Sequence, residues 1–256
     1  MKPAIITALL IAFILHQITA VIENECGQCK HCLDKNDCFL NMITAWAQNG
    51  EIEWPRVLGE NPNLWGKEQK VLADAKATED KQFQDPKFEQ NFKAMNAIGM
   101  AHRGAYHYFR GEPGSAGALE QVRHFLNTSI RAGFNVHKDF AVVNVEIYKN
   151  EGADKDQFTG KLLNFVKLLK SKVPNLFIHT SVDHWSALIN NDHDEFFAQF
   201  PLSVIDYDSQ QSPALPRPWK VWQRWLHTMT VPVNGISGNV WLSRVNCSVK
   251  MMPNIF

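Results

Sequence analysis

Lys76-Ala77-Thr78-Glu79, then Asp85-Pro86-Lys87-Phe88, then Arg103-Gly104-Ala105-Tyr106-His107-Tyr108-Phe109 follow one another along the chain, and their reading decides the fold. Val71 to Lys76, which leads into the first run, reads as a strand. Asp85-Pro86 reads as a helix start, with Asp as N-cap and Pro at the first helical position, where its missing N–H is no loss. Phe88, Phe92 and Met95 then recur at helical spacing. Gly99 ends the run, glycine being the residue that accepts the left-handed conformation at a helix end. Arg103 to Phe109 is the next strand.

The same alternation extends outward. Phe39 to Trp46 reads as the first strand. Leu119, Val122, Leu126 and Ile130 mark an amphipathic helix closed by Gly133. Phe140 to Ile147 is a strand. Leu162 to Leu169 is a helix with Lys161, Lys167 and Lys170 on its wet side. Leu176 to Ser181 and Leu202 to Tyr207 are further strands, and Ser212 to Pro218 is a proline-rich loop. Short strands alternating with helices argue for a parallel barrel or a doubly wound sheet.

Residues 1–20 read as a secretory signal. Lys2 supplies a positive start, and Ala4 to Leu15 is a nearly unbroken apolar run, short for a bilayer span. The chain is therefore expected to be secreted and extracellular, with no membrane association once the signal is removed. Removing those 20 of 256 residues leaves 236, enough for one barrel-sized domain over residues 39–256 behind a cysteine-rich segment, 21–38. Lys plus Arg and Asp plus Glu balance at 26 each, so no global field draws the protein to nucleic acid.

Cys26, Cys29, Cys32 and Cys38 crowd the segment ahead of the barrel, and Cys247 stands alone near the C-terminus. In an exported chain all five are disulfide candidates. An odd count leaves one thiol free or joined to another chain, which allows a disulfide-linked oligomer. A zinc site from the closely spaced cysteines with His31 is the alternative, and an oxidising compartment disfavours it. Asn127-Thr128-Ser129 and Asn246-Cys247-Ser248 are N-glycosylation acceptors, the first inside a helix near its buried face.

Side chains of Phe140 to Ile147 alternate between two faces. Ala141, Val143, Val145 and Ile147 form an apolar face suited to packing under helices. Val142, Asn144 and Glu146 face the other way, towards a barrel axis. An amide and a carboxylate at the C-terminal end of a barrel strand fall where such folds hold their sites. Glycoside hydrolysis asks for groups of this kind: a carboxylic acid to protonate the leaving oxygen, and a second group to stabilise or attack the anomeric carbon.

Together these runs resemble glycoside hydrolase family 25, the Chalaropsis-type lysozymes, from roughly Phe39 to Val245. The resemblance implies a single-domain α/β fold, an irregular, shortened TIM-like barrel. It further implies muramidase chemistry on peptidoglycan or a related N-acetylated glycan, with no cofactor and no metal. Glu146 matches the Glu of the family's Asp-x-Glu pair and is implied to be the proton donor. The pair here reads Asn144-Val145-Glu146. The partner Asp is implied to support attack by the substrate's own acetamido oxygen or to stabilise the cation, and Asn144 carries no charge for that task. Losing such a charge from a dry site costs orders of magnitude in rate. Aligned on Trp46, a further family Asp falls at Met42, and the one that follows Gly235-Ile236-Ser237-Gly238-Asn239-Val240 falls at Trp241.

Glu79, Tyr106, His107, Trp185, Tyr207 and Trp222 with Gln223 fall on motif-like positions and are candidate substrate contacts, since rings at a barrel mouth stack on sugar faces. Each also has a plain reading as a core or structural group. Asp206, beside Tyr207, is a candidate replacement carboxylate or a loop cap. His179 and His184 with Asp183 between them form a weak metal pattern. Three functions remain open. One is a secreted lysozyme-like pseudoenzyme that binds glycan with hydrolysis weak or lost. Another is an active muramidase with Glu146 as general acid, substrate-assisted attack, and Asn144 orienting the acetamido group. The third is a non-catalytic structural protein of a secretion or matrix.

Overall fold

The computed structural model describes residues 39–65, 72–100 and 102–246. Along the chain come β1 (Phe39–Ala45), α1 (Trp54–Gly59), α2 (Pro62–Trp65), β2 (Leu72–Glu79), β3 (Phe83–Gln84), α3 (Phe88–Ala97), β4 (His102–Tyr108), α4 (Ala118–Arg131) and β5 (Phe140–Asn144). They are followed by α5 (Lys155–Lys170), β6 (Leu176–Thr180), α6 (Val182–Leu188), α7 (Asp194–Phe197), β7 (Leu202–Ile205), β8 (Arg224–Pro232) and β9 (Asn239–Asn246). Strands β1, β2, β4, β5, β6, β7 and β8 pair in parallel in that order. β9 runs antiparallel between β8 and β1 and closes an eight-stranded barrel. β3 lies outside the ring, pairing only with the end of β2. The expected irregular TIM-like barrel is thus the observed one, and its irregularity is the antiparallel β8–β9 hairpin.

Two cores follow from side-chain alternation. The outer one lies between strands and helices. Ala73, Ala75, Ala77 and Ala105 keep β2 and β4 thin, so that Phe88, Phe92 and Met95 of α3 and Phe125 of α4 pack closely onto them. The inner one fills the floor of the lumen with Met42, Leu72, Phe140, Val142, Phe177 and Val245. Gly104 belongs to that floor: a β-carbon there would stand 2.1 Å from the Phe140 ring. Above the floor the lumen turns polar. The Arg224 guanidinium pairs with Asp74 (2.5 Å) and also donates to Ser243 Oγ (2.9 Å) and to Thr44. One buried cation thus ties β8 to β1, β2 and β9, the strands around the antiparallel seam.

Details of the sequence reading shift. The Asp85-Pro86 helix starts later, at Phe88, because Asp85 is spent on a turn, its carboxylate accepting the N–H of Lys87 and of Ala47. α4 is rotated from its apolar stripe: Leu119 and Ile130 are exposed, while Gln121, Val122, Phe125, Thr128 and Ser129 are buried. Gln121 turns inward because its amide bonds the carbonyls of Arg110 and Ala116 and its oxygen meets Arg110 N. Asn127 is therefore exposed, not near the buried face. Residues 1–38 and all five cysteines lie outside the described residues, and with them the signal, the disulfide candidates and the zinc alternative with His31.

Candidate active site at the barrel mouth

β5 delivers its polar face as the alternation predicts. Val142 packs in the lumen floor, whereas Ala141, Val143 and Val145 pack in the outer core. Asn144 ends the strand, buried, and Glu146 stands just above it at the mouth. Burial raises the Glu146 carboxyl above its ordinary value, a shift partly offset by the Asn144 amide and by the charges of His184 and Lys76. Glu146 Oε1 is buried without a hydrogen-bond partner, and so is Asn144 Oδ1. A carboxyl held towards its neutral form is what a general acid requires.

Around this pair stand Lys76 from β2, Tyr106 and Tyr108 from β4 and Tyr207 just past β7. Burial raises all three tyrosine hydroxyls, and the Glu146 charge adds to each, so the phenols keep their protons. Tyr106 is buried deep in the lumen, whereas Tyr207 is 41 % exposed and presents its ring to solvent. Trp46 and Trp241 pair at 4.3 Å between centroids, β1 meeting β9. Trp241 walls a small void with Thr44, Asp74, Tyr106, Val142, Asn144, His179 and Arg224. Directly opposite Trp241 on β1 is Thr44, while Met42 lies two residues deeper, in the apolar floor. The strand register thus sets Met42 in the floor and Thr44 beside Trp241.

Several candidates do not reach the mouth. His107 faces outward beneath the helices, between Thr78 Oγ1 (2.8 Å) and Gln121 Oε1 (3.0 Å) and stacked on Phe165. Burial pulls its pKa down to about 4. The reason is strand alternation, which sends Tyr106 and His107 to opposite faces. Trp185 is fully buried against Phe197 and Trp219. Trp222 lies at the opposite end of the barrel, stacked on Phe39 at the start of β1. Gln223 beside it splints that end, its side chain accepting Leu202 N. Asp206 is a loop cap: its carboxylate collects N–H groups of Asp208, Ser209 and Ala214, which hold it below the usual range despite its partial burial.

Glu79 is at the mouth but fully engaged. Lys76, Arg110 and Lys149 approach it at 3.1, 2.9 and 2.8 Å, and Lys149 and Lys76 hold it ionised against the cost of burial. It anchors the wall beside Glu146. Lys76, Tyr108 and Trp46 are mouth residues that the sequence reading did not take as site candidates, and His184 was read only as part of a weak metal pattern. The period of two marks Tyr108 from Tyr106; His184 sits on α6 with Nε2 3.8 Å from Glu146 Oε2. His179 points into the lumen and bonds Ser203 Oγ at 2.8 Å. Among the described residues no group of three His, Cys, Asp or Glu side chains is placed to hold a metal. A separate cleft of about 410 Å³ lies between the hairpin tip and α1, and its acids Glu51 and Glu53 are already paired with Lys87 and Arg56.

Residues 45–236, three quarters of the chain, match the family model of glycosyl hydrolases family 25. The chain belongs to glycosyl hydrolase family 25. Solved structures carry the same barrel. The bacterial lysozyme from Streptomyces coelicolor superposes with a TM-score of 0.68 at 21 % identity, over 82 % of this chain and 93 % of that one. A family 25 glycosyl hydrolase from Bacillus anthracis gives 0.65 at 18 %, over 84 % and 91 %. The modular autolysin of Streptococcus pneumoniae, solved with a synthetic peptidoglycan ligand, gives 0.64 at 17 %, over 80 % of this chain and 46 % of the autolysin. Comparison with curated proteins returns no sequence match. Where the family 25 resemblance expects carboxylates the chain has Asn144, Met42 and Trp241, while Glu146 and the ion-paired Glu79 stand at the mouth.

Proposed function

We propose that this family 25 protein engages peptidoglycan or a related N-acetylated glycan at the barrel mouth, with hydrolysis weak or lost. The observation that carries the reading is the pair Asn144–Glu146: an acid with a raised pKa beside an amide that has no charge to offer a developing cation. Tyr207, Trp46 and Trp241 supply ring faces for sugar stacking. Sedimentation with insoluble peptidoglycan, and separately with chitin, tests it. The intact protein co-sediments with at least one of them, and Tyr207→Ala weakens retention severalfold. Failure with both contradicts the reading. The raised Glu146 carboxyl favours one second reading, a slow muramidase in which Glu146 protonates the leaving oxygen, the substrate's acetamido oxygen attacks, and Asn144 orients that group.

Secretion is part of the proposal. The apolar run Ala4 to Leu15 supports it, and among the described residues no helix is long and apolar enough to cross a membrane. Disulfides and glycosylation at Asn127 or Asn246 belong to the same reading.

A further inference from the structure

The Trp241 indole fills space in the lumen beside Asn144. Trp241 stands on β9 directly opposite Thr44 of β1, and its ring packs on Trp46 at 4.3 Å. With Thr44, Asp74, Tyr106, Asn144 and His179 it also walls a void of about 10 Å³. Each of those polar neighbours is at most 5 % exposed, so a chamber built of hydrogen-bonding groups lies out of reach of solvent. Several are already engaged: Arg224 ties Asp74 and Thr44 together, and His179 Nδ1 meets Ser203 Oγ. Asn144 is engaged on one side only. Its side chain bonds the Glu146 carboxyl, a contact that lowers the pKa of that acid and so comes from the amide N–H. Its Oδ1 is buried without a partner. A bare buried acceptor costs the fold the desolvation of that atom, and a polar void of this size has room for one water and nothing larger.

We propose that Trp241 is a plug: its indole reduces a polar chamber to a site for one water, which donates to Asn144 Oδ1, and every sugar that reaches Asn144 must first displace the ring. Pockets for small organic ligands run to about 300–1,000 Å³, far above this void, so a pyranose has no place beside Asn144 while the indole is in. A glycan at the closed mouth lies across the partly exposed rings of Trp46 and Trp241 and across Tyr207. With the indole out, the chamber suits the acetamido group of an N-acetylated sugar, whose N–H takes over the water's bond to Oδ1. The plug gives weak hydrolysis a steric cause beside the missing charge at Asn144, because a sugar does not settle at the polar pair until the ring moves. The proposal rests on the reading of the mouth as a glycan site.

NMR on the intact protein tests it, with N-acetylglucosamine as the probe and glucose as the amide-free control. The Asn144 side-chain amide signal is assigned by its loss in Asn144→Asp and followed in the wild type, Trp241→Ala and Trp241→Phe. In the wild type the signal is expected to show contact with a long-lived water and to stay in place with either sugar. In Trp241→Ala it moves saturably with N-acetylglucosamine and not with glucose, and Trp241→Phe falls between. A wild-type amide with no water contact, or one that N-acetylglucosamine moves as far as in Trp241→Ala, overturns the proposal. So does an unmoved amide in a folded Trp241→Ala. The wild-type readings need no substitution at Trp241, so a poorly folding variant leaves the test decisive. Uptake of N-acetylglucosamine by Trp241→Ala, with no retention of the wild type on peptidoglycan or chitin, would count against the proposed function and not against the plug.

Discussion

Two buried groups set the pH behaviour of single residues here, with opposite signs. Burial raises the Glu146 carboxyl above 4.5, so folding favours its neutral form. The stability this confers is present below the unfolded value and lost as pH rises through the folded one, where a desolvated carboxylate must be carried. Glu146→Gln is therefore expected to melt higher than the wild type at neutral pH, with the gap closing below about pH 4. Thermal melts across pH check this. His107 behaves conversely, remaining neutral in the fold down to about 4 while the unfolded imidazole takes its proton near 6.5. Stability falls as pH drops through that window, and His107→Gln is expected to flatten the fall in part, because buried His179 titrates in the same direction. From the sequence Asn144 and Glu146 were legible as a polar pair on one face, since a strand's period is fixed. His107 and Trp185 were not, because a motif position says that a residue matters without saying which face it serves.

Among the elements, the seam where β8 and β9 close the ring rests on Arg224 and Asp74, both buried. Asp74→Ala leaves the guanidinium uncompensated and is expected to cost about 3–5 kcal/mol in urea unfolding, whereas replacing both residues by apolar ones of similar volume recovers most of it. On β4, Gly104→Ala drives a methyl into the Phe140 ring and is expected to cost about 1–3 kcal/mol by the same measurement. A strand–helix alternation announced the parallel strands, which are bounded by clear glycine and proline signals. It said nothing of the β8–β9 reversal, because the tie between Arg224 and Asp74 spans 150 residues and leaves no local pattern. The face of α4 was misjudged for a related reason: Gln121 is buried to satisfy backbone groups of another segment, and hydrophobic spacing does not count such debts.

At the scale of the whole molecule, a family 25 barrel carries at its mouth the largely buried Glu146 and a Glu79 paired with Lys76, Arg110 and Lys149. The strands themselves close a ring from Phe39 to Asn246. The central claim concerns the mouth, and reducing-sugar release from purified peptidoglycan tests it most directly, comparing the wild type with Asn144→Asp and Glu146→Gln. Little or no release by the wild type, a gain in Asn144→Asp and none in Glu146→Gln is the predicted result. Vigorous release by the wild type, unchanged or lowered in Asn144→Asp, would contradict it.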